Sequence, residues 1–287
     1  MRLGFSIDPR QALSEADELR LVELGARLGY EEAWTPSGPD EAAFDRCLRW
    51  HRASGLATGI SVVPASGQPA RFYAEHAQRA WEGTGGTFVL GVGSGRMTHA
   101  AARMREYLAE LRELLPDGQP VHLAALGPLM LRLAGEAADG ALLNWCSAEW
   151  VGWSRARVEA AATAAGRPAP AVVEYIRTSV DPDAGLARST LATAMLQYAL
   201  GPGAYRQHFE RMGFGEELNR LASNGGQPGA ALLGASGASG GPGEVRPQFE
   251  RLAQGLDLAI VRVLVTSPGD AESARRVLEE CRPEEPA

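Results

Sequence analysis

A chain of 287 residues with 45% hydrophobic and 22% charged residues and a formal net charge of −7 has the balance of a globular protein, and its acidity argues against a nucleic-acid partner. All 28 basic residues are arginine, and a chain without lysine excludes lysine-bearing phosphate loops and the Schiff-base chemistries that need an amine nucleophile. No run reaches the ~20 apolar residues of a membrane span, the opening "MRLGFSIDPR" lacks a signal-peptide pattern, and Cys47, Cys146 and Cys281 are odd in number and far apart, so we expect a cytoplasmic protein without a disulfide framework.

Alternating residues predict a first strand over Leu3 to Ile7, and "ADELRLVELGARLGY" has helical spacing. "EEAWTPS" follows as a second strand. A helix from Asp40 to Ala53 carries a stripe of Phe44, Cys47, Leu48 and His51 and offers a surface for a homodimer. "GLATGISVVPAS" is a third strand ending at Pro64, and "PARFYAEHAQRAWEG" is a helix opened by proline, as first turns allow. The fourth strand, "TFVLGVGSG", runs into Gly91, Gly93 and Gly95 before a helix from Met97 to Leu115. "QPVHLAALG" and "PLMLRLAGEAAD" form the fifth unit, and "ALLNWCS" with "AEWVGWSRARVEAAATAAGR" the sixth. "AVVEYIRTSV" is strand seven, followed by a helical region from Ala184 to Ala222. Ser223 to Gly243, with eight glycines in 21 residues, is expected to be mobile, as a surface linker or part of a lid. "DLAIVRVLV" is the eighth strand, and Asp270 to Cys281 the last helix.

Eight strand and helix pairs predict an α/β fold, a single (β/α)8 TIM barrel over 1–287, with a helical and Gly-rich insertion at 184–245 between strands seven and eight as a candidate lid. A doubly wound open sheet is the alternative. No linker halves the chain, however, and "GVGSGRM" fails the GxGxxG dinucleotide pattern. A barrel places chemistry after the C-terminal ends of its strands. That restricts candidates to Ser6, Asp8, Thr35, Ser37, Ile60 to Val62, Gly91 to Arg96, Ala124 to Gly127, Asn144 to Ser147, Arg177 to Ser179, Thr266 and Ser267. In "AALGPLM", Leu126 and Gly127 end a strand and Pro128 opens a helix, whose first-turn N–H groups favour an anion. The five histidines show no metal-ligand spacing, so no metal is expected. The register of His122 is open. Glu174, Arg177 and Arg262 interrupt apolar strands and are either paired inside the barrel or aimed at a ligand.

Taken together, "FVLGVGSG", "PVHLAALGPLMLRLAGEAADGALLNW", "GISVVP" and "VRVLV" resemble the luciferase-like monooxygenase superfamily, in its branch of coenzyme F420-dependent oxidoreductases. The resemblance implies a flavin-type ring over the barrel mouth. By position, Ile60 and Ser61 match the family's non-prolyl cis peptide, with Val62 beside it; Gly91, Gly93, Ser94, Gly95 and Arg96 line the cofactor; and Ala124, Ala125, Leu126 and Gly127 hold its phosphate. Sugar-phosphate dehydrogenases of this branch carry an acid where this chain has Arg96, an Asp-His pair where it has "TPSGPD", and phosphate-binding lysines that it lacks. Sugar-phosphate oxidation is therefore not implied, and no catalytic acid or base is carried over. Arg96, Arg103 and Arg105 could meet the anionic tail of F420, whereas FMN has one phosphate. The implied activity is hydride transfer between F420 and a small organic substrate, in the direction of reduction. An FMN-dependent luciferase-like monooxygenase and a non-catalytic flavin-binding relative are the alternatives. Asn144, Trp145 and Ser147 are expected to face the substrate, with Ser37 and Asp40.

Overall fold

Strands β1 (Arg2–Ser6), β2 (Glu32–Thr35), β3 (Ala57–Pro64), β4 (Phe88–Gly93), β5 (Val121–Ala124), β6 (Gly140–Asn144), β7 (Ala171–Val180) and β9 (Leu258–Val263) close into one parallel ring in the computed structural model, which describes residues 1–201 and 203–284. Pro202, inside the expected insertion, and the last three positions of the expected domain lie outside the described residues. Each crossover is helical: α1 (Glu15–Arg27), α2 (Ala42–Ser54), α3 (Ala70–Gly83), α4 (Ala100–Leu114), α5 (Pro128–Ala137) and α6 (Ala148–Ala164) follow the first six strands, and α12 (Ala271–Glu280) follows β9. The ring closes where β9 pairs with β1, Gly4 opposite Ile260 and Ser6 opposite Arg262. The protein is a TIM barrel.

Side chains alternate along each strand, and this sorts the apolar residues into two layers. Trp34, Leu142, Val173, Leu258 and Ile260 fill the barrel interior. Their neighbours in sequence, such as Ala33, Val172, Ala259 and Val261, face the helices. His122 faces inward, stacked on Trp34 with ring centroids 6.0 Å apart, and burial pushes it down to about 4. The helix α2 spends its apolar stripe inside the monomer: Phe44, Cys47, Leu48 and Trp50 are all buried. Each such side chain contributes roughly 1.5–3 kcal/mol, so this stripe belongs to the core of the monomer. Among the described residues no helix is long and apolar enough to cross a membrane.

The stretch between β7 and β9 departs from the expectation in two ways. The single long helical region is broken into α7 (Ala184–Ala199), α8 (Ala204–Phe209), a π turn over Glu210–Phe214 and α9 (Gly215–Asn224), with Gly213 at φ +94 marking one break. Part of the Gly-rich segment has regular structure. It forms a helix, α10 (Ala230–Ser236), then a strand, β8 (Gly237–Gly240), that pairs with the end of β7 outside the ring, before α11 (Arg246–Leu252). A Cβ at Gly237 would sit 2.5 Å from the Arg177 carbonyl oxygen. Glycine here permits close strand approach and does not signal slack. The insertion also owns a core, in which Leu191, Met195, Phe209, Leu218, Leu221 and Leu232 surround Trp145.

Candidate active site

The C-terminal ends of the strands frame a cavity of about 460 Å³. Register explains which side chains reach it. Ser6 pairs with Arg262, Arg262 with Arg177, and Asn144 with Tyr175, so inward-facing residues of β1, β9, β7 and β6 stand side by side at the mouth. Outward neighbours such as Glu174 point the other way.

One wall is mostly backbone and apolar. Ser61, Val62, Gly93, Ser94, Gly95, Ala124, Leu126, Gly127 and Leu142 line it, as the sequence led us to expect for all but Leu142. β3 and β4 pair at Ile60 and Leu90, then again at Val63 and Val92, so Ser61 and Val62 together oppose the single Gly91. The cis peptide joins Ser61 to Val62, one bond later than the Ile60–Ser61 position read from the sequence. Ile60 is still in the regular ladder, and its side chain is buried against the helix layer. A Cβ at Gly91 would lie 2.1 Å from the Ile60 carbonyl oxygen, and one at Gly93 2.7 Å from Val62 Cγ2. These glycines therefore admit the bulge of β3 first, and only through it shape the cavity. Gly95 has φ +58 and would meet Ser66 Oγ at 2.3 Å.

The turn after β5 has the features of an anion site. Gly127 caps α5 without any side-chain hydrogen bond and Pro128 supplies no N–H, which leaves first-turn amides facing outward. A Cβ at Gly127 would lie 3.4 Å from Arg211 Nη1, so a guanidinium from the π turn stands beside this turn.

The opposite wall is made of side chains. Arg10, Asn144, Tyr175, Arg177, Tyr198, Tyr205 and Arg262 line it. With Arg211, the described lining holds four arginines and no carboxylate. Asp8 sits just behind, taking Arg10 Nη2 at 2.7 Å and Arg262 Nη2 on one carboxylate. Burial would raise the Asp8 carboxyl, but hydrogen bonding from Arg10 and the charge of Arg262 hold it below its ordinary value. Arg262 also donates to Ser6 Oγ at 2.8 Å. Arg177 lies 3.7 Å over the Trp145 ring and donates to Asn144 Oδ1. Asn144 in turn donates to the Tyr205 hydroxyl at 2.7 Å. Tyr198 differs from the other phenols. Burial raises it, yet the charges of Arg177, Arg10 and Arg262 outweigh that and leave it lowered.

Behind this wall, the peptide joining Trp145 to Cys146 is held at both ends. His208 of α8 lies with Nε2 2.9 Å from the Trp145 carbonyl oxygen, in the donating tautomer, and Glu174 Oε1 accepts from the Cys146 N–H at 2.7 Å. Trp145 has φ +61, a left-handed conformation uncommon for a non-glycine residue, and these two contacts hold it. Burial pushes Glu174 up to about 8 and His208 down to about 4, so both are neutral near pH 7.

Several expected residues take other roles. Ile60, Gly91 and Ala125 are packed beneath the cavity lining. Arg96 has an exposed side chain, its backbone N–H donating to Ser66 Oγ at 3.0 Å. Asp40 Oδ1 accepts from Ala42 N in the turn before α2, and Ser147 is the N-cap of α6, its Oγ accepting from Trp150 N. Ser37 turns its hydroxyl onto the Gly38 carbonyl oxygen at 2.7 Å. Trp145 is 1% exposed and packs into the insertion core beneath Arg177 instead of facing the cavity. Arg105 is ion-paired with Glu136. Arg10, Tyr198, Tyr205 and Arg211 were missed because they lie outside strand ends. The only signal for them was their place in segments that a barrel folds over its mouth.

Residues 112–256, half of the chain, match the luciferase-like monooxygenase family. Solved structures with the same fold include the coenzyme F420-dependent tetrahydromethanopterin reductase of Methanopyrus kandleri, at TM-score 0.74 and 17% identity over 97% of both chains. An F420-dependent secondary alcohol dehydrogenase, in complex with an F420-acetone adduct, is similar at TM-score 0.74 and 13% identity over 97% of both chains. A monooxygenase from Streptomyces bottropensis is similar at TM-score 0.69 and 16% identity, over 98% of this chain and 97% of that one. The chain belongs to the luciferase-like monooxygenase family.

Proposed function

From this membership we propose that the protein is an oxidoreductase using coenzyme F420, working as a reductase of a small organic substrate. The observation that carries the choice is the concentration of arginine at the mouth. In a chain of net charge −7, no carboxylate lines the described cavity, and Arg211 stands at its edge beside the start of α5. Arg96 and Arg103 add two exposed cations beyond it that are unpaired among the described residues. A single phosphate needs one such site. A carboxylate-rich tail uses several.

The residues fit such a group. Ser61, Val62, Gly93 and Leu142 line one side of the cavity with few bulky side chains, and the uncapped start of α5 with Arg211 suits a phosphate. The buried Tyr175 hydroxyl has no partner among the described residues. Bound there, a deazaflavin would supply a hydride donor or acceptor that reacts poorly with oxygen. The chain would contribute orientation and electrostatics. Arg262 stabilises negative charge appearing on a substrate oxygen or nitrogen, and the lowered Tyr198 Oη is placed to hold the proton that neutralises it. Helix α8 and the π turn roof the cavity through Tyr205, Gln207 and Arg211, and would exclude water in the role of a lid.

The test is to titrate the purified protein with F420 and with FMN. Quenching of F420 fluorescence at micromolar concentration, with no response to FMN, is the expected outcome. Binding of FMN alone would replace this reading by an FMN-dependent monooxygenase, and a folded protein that binds neither would end both.

A further inference from the structure

The side-chain wall holds a charge that the protein does not neutralise. Arg177 is 6% exposed and projects from β7 into the cavity, yet no carboxylate among the described residues pairs with it. Its ladder neighbour Arg262 differs, being matched by Asp8 and Ser6. Stacking on Trp145 covers one face of the Arg177 guanidinium, and Asn144 takes one N–H. The Tyr198 ring centroid lies 5.2 Å from Arg177 Cζ, and the remaining in-plane N–H groups have no hydrogen-bond partner among the described residues. Tyr175 reaches the same cavity, is also 6% exposed, and its hydroxyl has no partner among the described residues. A buried cation without a counter-charge beside a buried hydroxyl without an acceptor is unfavourable in the empty protein, and one ligand anion would satisfy both.

We propose that the substrate carries a carboxylate, bound edge-on by Arg177 with the Tyr175 hydroxyl as the second donor. The word substrate rests on the oxidoreductase reading; the anion site does not. A planar guanidinium with one face stacked presents coplanar donors, and these match the two oxygens of a carboxylate better than a tetrahedral phosphate. The cofactor is the weaker claimant, because the opposite wall already offers an anion site at Gly127 and Arg211. Burial lowers Arg177 to about 10, which leaves it fully charged at neutral pH.

The experiment uses the full chain and three probes, benzoate, phenylacetate and 3-phenylpropionate, each against its neutral amide, by ligand-observed NMR with and without saturating F420. At least one carboxylate should bind about tenfold more tightly than its amide, and the preference should persist with F420 bound. Arg177→Gln should abolish the preference while changing F420 affinity less than about twofold, and Tyr175→Phe should weaken the carboxylate roughly threefold without touching the amide. If no carboxylate outcompetes its amide on the wild-type protein, the proposal is wrong whether or not either variant folds. Survival of the preference in Arg177→Gln overturns the assignment to that residue. Displacement of the carboxylate by F420, or equal loss of both in Arg177→Gln, gives the anion to the cofactor and also overturns it. Carboxylate selectivity lost in Arg177→Gln, in a protein that binds no F420, keeps the site and removes the cofactor reading instead.

Discussion

The two walls of the cavity are built by different means. From β3 to the turn after β5 the surface is backbone, apolar side chains and glycine, held in shape by a bulge that Gly91 and Gly93 accommodate. From β7 through α8 to β9 it is guanidinium and phenol, contributed by residues as far apart as Arg10 and Arg262. A backbone wall tolerates little change in volume and is indifferent to pH. A wall of buried charges tolerates repacking poorly too, but its properties follow protonation. The contrast assigns shape to the first wall and charge to the second.

The largest effect that should separate the walls is Gly91→Ala. Its Cβ would overlap the Ile60 carbonyl oxygen at 2.1 Å, and overpacking of this kind costs roughly 3 kcal/mol. Chemical denaturation should show that loss together with loss of F420 quenching. A stable variant that still binds would mean that β3 can retreat, and that the wall is softer than argued.

The second wall answers to pH. Glu174, which supports Trp145 beneath Arg177, is raised on folding from 4.5 to about 8. A carboxyl raised on folding stabilises the fold while protonated, so its contribution is complete below about pH 4.5 and is lost as pH rises to about 8. His122 and His208, pushed down from 6.5 to about 4, favour the fold when neutral and lose their contribution as pH falls from 6.5 to 4. Stability should therefore peak near pH 6.5. It should then fall by about 1.4 kcal/mol per pH unit toward 8, roughly 2 kcal/mol in all. Urea midpoints of Glu174→Gln, which keeps the acceptor for the Cys146 N–H, should stay level over that interval.

Tyr198 gives a finer reading of the same wall. Five of the six tyrosines are raised by burial, and Tyr198 alone is lowered. An ultraviolet pH titration of tyrosinate should show one early phenol that disappears in Tyr198→Phe and moves up in Arg177→Gln. The smallest effect is expected at the rim, where Arg96→Ala should weaken F420 roughly fivefold and leave FMN unchanged, the size of an exposed ionic contact. Equal weakening of both cofactors would remove Arg96 from the tail.

Alternating apolar strands and helix-period segments were enough to read the barrel, because each βα unit repeats the same local pattern. The backbone wall was legible for a related reason: Gly93 to Gly95 and Ala124 to Gly127 are contiguous stretches whose turn chemistry is written in neighbouring residues. In the Gly-rich segment glycine marks both slack chain and close packing, and only the approach of Gly237 to the Arg177 carbonyl shows the second. Trp145 and Ser147 stand at the expected strand end, yet one is stacked under a cation and the other caps a helix. By itself the sequence determined the fold, the restriction of chemistry to one end of it, and the glycine and proline turns, since all three follow from local pattern. Only the tertiary structure decided that Arg10, Arg177, Tyr198, Arg211 and Arg262 share one cavity, because the charge of a site depends on distances between elements that no spacing along the chain records.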